Sequence, residues 1–188
     1  MKTQYYTATS LDGFIASADN SLEWLFQLGD PETSSYPDFI REIGAIAMGS
    51  HTYEWLLRNL IGPEAKEPGP WPYEQPTWVF TSRNLQLVPG ANIRCVHGDV
   101  KPVHRAMCDA ANGKNIWVAG GGDLAGQFHD NNLLDEIIVQ VGSVTLGAGK
   151  PLLPRAIMSP SLRLLSATAI GSQFAELRYE VVRSPQVL

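Results

Sequence analysis

Cysteine is nearly absent from this chain: Cys95 and Cys108 are the only two among 188 residues. Two thiols cannot build a disulfide framework, and they lack metal-ligand spacing. Both read as small buried hydrophobes of a reducing compartment. Positive charge is also scarce. Fourteen Lys and Arg stand against 19 Asp and Glu, a net charge of −5 with no basic run. The long-range field that gathers nucleic acid or anionic lipid is therefore missing. No stretch approaches the ~18 uninterrupted apolar residues of a membrane span, and residues 1–6 carry no apolar signal core. The expectation is a soluble, cytoplasmic protein with neither a nucleic-acid nor a membrane partner. The four histidines show no H-x-x-x-H or H-x-x-E-H spacing, and neither Gly-x-Ser-x-Gly nor a Walker sequence occurs. Zinc hydrolysis, an esterase elbow and a P-loop thus lack their residues, and no metal site is expected.

What is present is a globular composition, 44% hydrophobic and 18% charged, which excludes disorder and coiled coil. Its length predicts one domain spanning residues 1–188. Strand-like runs cover residues 4–9, 45–48, 77–81, 93–96 and 116–119. Helical patterns cover 36–43, 50–60, 100–111 and 123–129, with Ser50 a candidate N-cap. Residues 62–76 hold five prolines and predict an irregular surface excursion. Beyond residue 130 the pattern changes to strands at 136–141, 162–169 and 175–182 with no helix between them. The alternation predicts a three-layer αβα fold with a mixed, mostly parallel sheet, and the closing segment predicts antiparallel strands at one edge.

Three strand ends carry anion-binding chemistry. Trp117-Val118-Ala119 runs into Gly120-Gly121-Gly122 and a helix opens at once with Asp123-Leu124. Glycines let a phosphate approach the backbone, and a helix N-terminus presents free N–H groups to it. A tight turn needing positive φ would explain one glycine, not three. Met48-Gly49-Ser50-His51-Thr52 is a second strand–helix junction, readable as a phosphate site or as an ordinary N-cap. Thr81-Ser82-Arg83 adds two hydroxyls and a guanidinium, whose planar fork suits phosphate, although a solvated surface Arg is the common case. Three such ends in one parallel sheet suit a dinucleotide lying across their carboxyl edge. With few polar catalytic groups beside it, the cofactor would carry the chemistry.

Ser10-Leu11-Asp12-Gly13-Phe14-Ile15-Ala16, Met48-Gly49-Ser50-His51-Thr52, Thr81-Ser82-Arg83, Ala119-Gly120-Gly121-Gly122 and the loop from Leu146 to Pro154 follow one another along nearly the whole chain. This ordered set resembles the dihydrofolate reductase superfamily, and more closely the reductase domain of bifunctional riboflavin-biosynthesis proteins and its stand-alone relatives. The resemblance implies an NADPH-dependent oxidoreductase. By it, Ala8 and Ile15 offer backbone groups to the nicotinamide carboxamide. Gly49, Ser50, His51 and Thr52 hold one end of the cofactor's phosphates, Thr81, Ser82 and Arg83 surround the 2′-phosphate, and Gly120, Gly121, Gly122, Asp123 and Leu124 take the pyrophosphate. Trp24 matches the aromatic beside the substrate ring, or is a core tryptophan. The arginine that usually follows the glycine of the second motif is Ser50, and Tyr6 and Phe14 stand where the riboflavin reductases carry lysines.

The reading that follows is an NADPH reductase of a pterin- or pyrimidine-like heterocycle. The alternatives are the riboflavin-pathway 5-amino-6-(5-phosphoribosylamino)uracil reductase and an NADPH-binding protein without turnover. Asp12 is the candidate catalytic carboxylate, with a plain Asp-Gly turn as its other reading. Gln140 is the candidate amide in the substrate pocket. Five Trp, six Tyr and six Phe, with a sheet edge needing cover, point to a homodimer.

Overall fold

The computed structural model describes residues 1–28, 34–63 and 65–183. Its core strand is β1 (Thr3–Ser10), whose Thr and Tyr residues favour a pleated, buried surface. The ribbon strand β2 (Phe14–Ala16) and the short helices α1 (Glu23–Phe26) and α2 (Tyr36–Arg41) follow. β3 (Ile43–Gly49) passes directly into α3 (Ser50–Leu56) and one π-helical turn, Leu57–Ile61. Next come β4 (Thr77–Phe80), β5 (Ile93–Val96), α4 (Val100–Ala111), β6 (Asn115–Gly120), α5 (Gly122–Asp130) and β7 (Glu136–Gly142). The chain closes with β8 (Lys150–Pro151), β9 (Arg163–Ile170) and β10 (Phe174–Glu180).

Eight strands form one sheet in the order β5-β4-β3-β6-β1-β7-β10-β9, and β2 and β8 pair separately. The strands from β5 to β7 are parallel; β10 and β9 add antiparallel to β7. One apolar cluster, with Tyr5, Ala47, Val118, Met107 and Phe128, packs α4 and α5 onto one face. The other, with Tyr6, Ile46, Trp117, Phe39 and Tyr53, packs α2 and α3 onto the opposite face. The fold is thus the three-layer αβα arrangement the alternation predicts.

The departures are local and have causes. α2 stops at Arg41 and β3 begins at Ile43, because Ile43 is buried and Asn115 N donates to Glu42 O, drawing the chain into the sheet. The predicted helix 50–60 is α-helical only to Leu56. Gly62 N then donates to Leu57 O, a wide turn that only glycine closes, since a Cβ there would lie 2.8 Å from that oxygen. Ser50 is the first helical residue, and the cap position is Gly49. β7 pairs in parallel with β1, so the antiparallel segment starts one strand later than the closing pattern suggests: α5 returns the chain for a parallel pairing. The proline-rich stretch is irregular but not merely superficial. Trp71 and Tyr73 reach inward, with Tyr73 edge-on to Trp117 at 5.6 Å between centroids. Neither cysteine is fully buried: Cys95 is exposed on edge strand β5, and Cys108 is half-buried beside His104.

Gly44 sits at a register shift of β3, where a Cβ would come within 2.3 Å of Ala111 O at the end of α4. Gly44→Ala forces apart two elements of the core, so overpacking should cost ~3 kcal/mol, a fall of roughly 6–12 °C in Tm by thermal denaturation. An unchanged Tm would show that α4 does not seat tightly on β3.

Candidate active-site groove

Sheet order brings the carboxyl ends of β4, β3, β6 and β1 side by side, with Gly49 opposite Phe80 and Met48 opposite Gly120. A cleft of about 480 Å³ opens there. Ile15, Gly49, Ser50, His51, Thr52, Gly120, Gly121, Gly122, Asp123 and Leu124 all line it.

The three glycines are required for three different reasons. Gly120 adopts a φ of +131°, which side chains rarely tolerate. Gly122 lets α5 start against the backbone of the β8 segment: a Cβ there would lie 2.3 Å from Leu152 O and 2.5 Å from Pro151 O. Gly121 instead faces open space, and its Cβ would meet nothing nearer than Ile15 Cδ1 at 3.9 Å. Ala125 N closes the first bond of α5 on Gly121 O, so the N–H groups of Gly122, Asp123 and Leu124 have no helical acceptor. Backbone donors and an open Cβ position together make a cradle for an anion. Asp123 would oppose that charge, but Arg155 is bonded to it at 3.2 Å and to Asp130 at 2.7 Å. Lys150 adds an ammonium group to the wall, and His51 an imidazole.

Thr81, Ser82 and Arg83 do not line the cleft itself. Thr81 Oγ1 accepts from Arg83 N at 3.0 Å and shapes the turn. The Arg83 guanidinium reaches back to the rim, where Nη2 donates to Ser50 Oγ and Glu54 Oε2, each at 2.9 Å.

A second cleft of about 430 Å³ adjoins the first, and Thr7 and Ala119 line both. Ala8 and Gln140 belong to this half, along with Tyr6, Phe26, Tyr36 and the β9–β10 turn. No charged side chain lines it among the described residues. Residues 29–33, outside the described residues, contain Asp30 and Glu32 and no Lys or Arg. Phe26 stacks on Trp55 at 5.8 Å where the halves meet.

Two expected residues stand apart from the groove. Trp24 is buried beneath it, against Gly142, with an indole N–H that finds no partner among the described residues. Asp12 lines neither cleft. Its carboxylate accepts from Ser10 Oγ at 2.6 Å, Leu146 N at 3.0 Å and Gly147 N at 2.7 Å. It fastens the loop leading to β8, which pairs with β2. Thr7, Trp55 and the β9–β10 turn line the groove without having been expected there. Thr7 and Trp55 lie on a strand and a helix legible in the sequence, whereas the β9–β10 turn reaches the groove only through the β7–β10 pairing.

A family model described as the RibD C-terminal domain matches residues 2–175. The chain belongs to this family. Among its relatives is the uncharacterized protein YwjB of Bacillus subtilis (strain 168), 31% identical over 95% of this chain and 97% of that one. A Shewanella sp. PV-4 protein, named for a proposed place in riboflavin biosynthesis, superposes with TM-score 0.77 at 22% identity, covering 97% of this chain and all of that one. Dihydrofolate reductase from Enterococcus faecalis, solved with NADP(H) and RAB-propyl, superposes with TM-score 0.57 at 13% identity over 95% of each chain. These likenesses make the fold of this RibD C-terminal domain dihydrofolate reductase-like. Among its described residues, no helix is long and apolar enough to cross a membrane.

Ser10 first, then the Leu146 N–H, holds the Asp12 carboxyl below its usual value of 3.8. A lowered folded pKa means the anchor contributes fully above the unfolded pKa and is lost as pH falls through the folded one. Hydrogen-exchange protection of the Leu146 and Gly147 amides should therefore be high at neutral pH and be lost only as the pH is taken below the usual carboxylate value of 3.8. Asp12→Ala should remove it already at neutral pH. Equal protection in both proteins would contradict the anchoring role.

Proposed function

We propose that this protein is an NADPH-dependent reductase of an uncharged, pterin- or pyrimidine-like heterocycle. The observation that carries this reading is the meeting of the two clefts at Thr7 and Ala119. One half has backbone donors and cations, the other no charge among its described lining. The first half fits a dinucleotide because Gly121 leaves open the space a side chain would fill.

When bound, NADPH supplies a hydride from C4 of its nicotinamide, and the chain's own residues hold the partners together. Gly121, Gly122, Asp123 and Leu124 donate backbone N–H groups to the pyrophosphate. Ser50, His51 and Thr52 hold phosphate oxygens, and Ala8 and Ile15 orient the carboxamide. Arg83, with Thr81 and Ser82, receives the 2′-phosphate. The substrate lies in the second half, among the hydroxyl and amide groups of its described lining, and water supplies the balancing proton. The neutral amide, hydroxyl and aromatic groups of the described lining favour an uncharged substrate over the phosphoribosyl aminopyrimidine, whose phosphate would need a cationic partner.

NADPH at about a hundred times its Kd should stabilise the protein by ~2.7 kcal/mol, or roughly 5–11 °C in Tm. Gly121→Val should melt as the wild type alone and lose that shift. Arg83→Ala should erase a preference for NADPH over NADH of roughly 10–150-fold. A retained shift in Gly121→Val, or equal binding of both cofactors by the wild type, would overturn the assignment.

A homodimer is proposed on the free edge of β9, where nearly every residue is exposed, including Leu164 at 54% and Leu165 at 48%. Light scattering should give twice the chain mass of 20.6 kDa, and Leu165→Glu should halve it. A monomeric wild type at micromolar concentration refutes this.

A further inference from the structure

Behind the uncharged second cleft lies a charged group that the reaction above does not use. Glu176, on β10, is only 5% exposed, and register places it beside Gln140 on β7, which in turn faces Ala8 on β1. Burial would raise its carboxyl, but Ser35, Gln140 and Arg178 together bring it below the usual range. Arg178 Nε donates to Oε1 at 2.9 Å, and Ser35 Oγ donates to Oε2.

An ionised carboxylate only accepts hydrogen bonds. The Gln140 side chain must therefore turn its NH₂ toward Glu176, and Nε2 donates to Oε2 at 3.2 Å. The same nitrogen donates to Tyr6 Oη at 2.7 Å. Since the Ser35 proton goes to Glu176, the Tyr6 hydroxyl donates to Ser35 Oγ at 3.2 Å. The amide NH₂ of Gln140 is thus committed to Glu176 and Tyr6, with Ser35 Oγ a further 3.5 Å contact. Gln140 Oε1 accepts nothing from the described residues, and it is the amide atom left to a cleft that Gln140 lines.

We propose that Glu176 is a positioning residue that locks the Gln140 amide with its carbonyl oxygen toward the second cleft. The cleft thereby selects uncharged cyclic ligands that present an N–H donor, of the lactam or imide class. A ligand with a ring-nitrogen acceptor or an N-alkyl group at that point faces a fixed acceptor and loses the bond. The inference rests on the second cleft being the substrate half of the proposed reductase.

The probes are lumazine, a bicyclic imide with ring N–H groups, and 1,3-dimethyllumazine, which has none. Their Kd values are measured by fluorescence titration at a pH where lumazine is neutral. The wild type should prefer lumazine by roughly tenfold, the effect of one buried hydrogen bond. Gln140→Met should reduce the ratio to about one. Glu176→Gln keeps the size and most contacts of the side chain but can also donate, so the amide is no longer locked and the ratio should fall to a few-fold. A purely structural role would lower Tm without changing the ratio. An unchanged ratio in either variant, no preference in the wild type, or binding of neither probe overturns the proposal. NADPH protection, measured on the same proteins, separates the two readings. Its absence in the wild type sinks the reductase, whereas its presence beside an unchanged ratio sinks only the recognition assigned to Gln140 and Glu176.

Discussion

Everything in this fold is arranged around the burial of β1 between two parallel neighbours. A strand paired on both edges and packed on both faces has little solvent for its side chains, so most of its polar atoms bond inside the protein, Gln4 Oε1 and Thr9 Oγ1 being without a partner among the described residues. Tyr5 donates to Leu152 O at 2.9 Å, tying the central strand to the segment against which α5 begins. Gln4 donates to Glu136 at 2.7 Å, and Thr3 shares a 2.8 Å bond with His104 of α4. Each bond ties β1 to a different part of the molecule. The middle of the strand, from Tyr6 to Ala8, then lines the groove, and the precision of that lining is inherited from the bonds nearer the strand's start.

The glycine triplet joins the groove to this frame. Gly122 brings α5 onto the Pro151–Leu152 backbone, the same backbone that Tyr5 holds, so the helix N-terminus is fixed to the central strand through one intermediary. Arg155 continues the lock along the helix, lying over Gly126, where a Cβ would be 2.7 Å from its Cζ, and bonding Asp123 and Asp130. An anion-binding cradle whose donors are fixed in this way pays little reorganisation on binding.

Much of this was legible in the sequence because the information is local. Alternating strand and helix patterns gave the layers, and a buried strand running into Gly120–Gly122 marked the cradle. What was hidden depends on pairing between distant segments. Asp12 reads equally as a turn residue or a catalytic carboxylate until Leu146 and Gly147 are seen to donate to it. Trp24 reads equally as the aromatic beside a substrate ring or as a core tryptophan until its ring is found buried against Gly142. Glu176 carries no signal at all, since only the β7–β10 register sets it beside Gln140. Patterning thus reports which face a residue occupies, and strand register decides what it meets there.

The division of the groove into a half with charged groups and a half with none among its described residues gives the two linings different responses to ionic strength. Lys150 is exposed at the wall of the first half, and Arg83 stands half-exposed at its rim, so mobile ions screen their attraction for an anion over a Debye length of ~8 Å at physiological salt. The second half offers aromatic walls and neutral amide and hydroxyl groups, on which such screening has no purchase; strongly excluded salts such as sulfate favour burial there. A single salt series therefore acts on the two halves in opposite directions, and their occupants can be told apart without altering a residue.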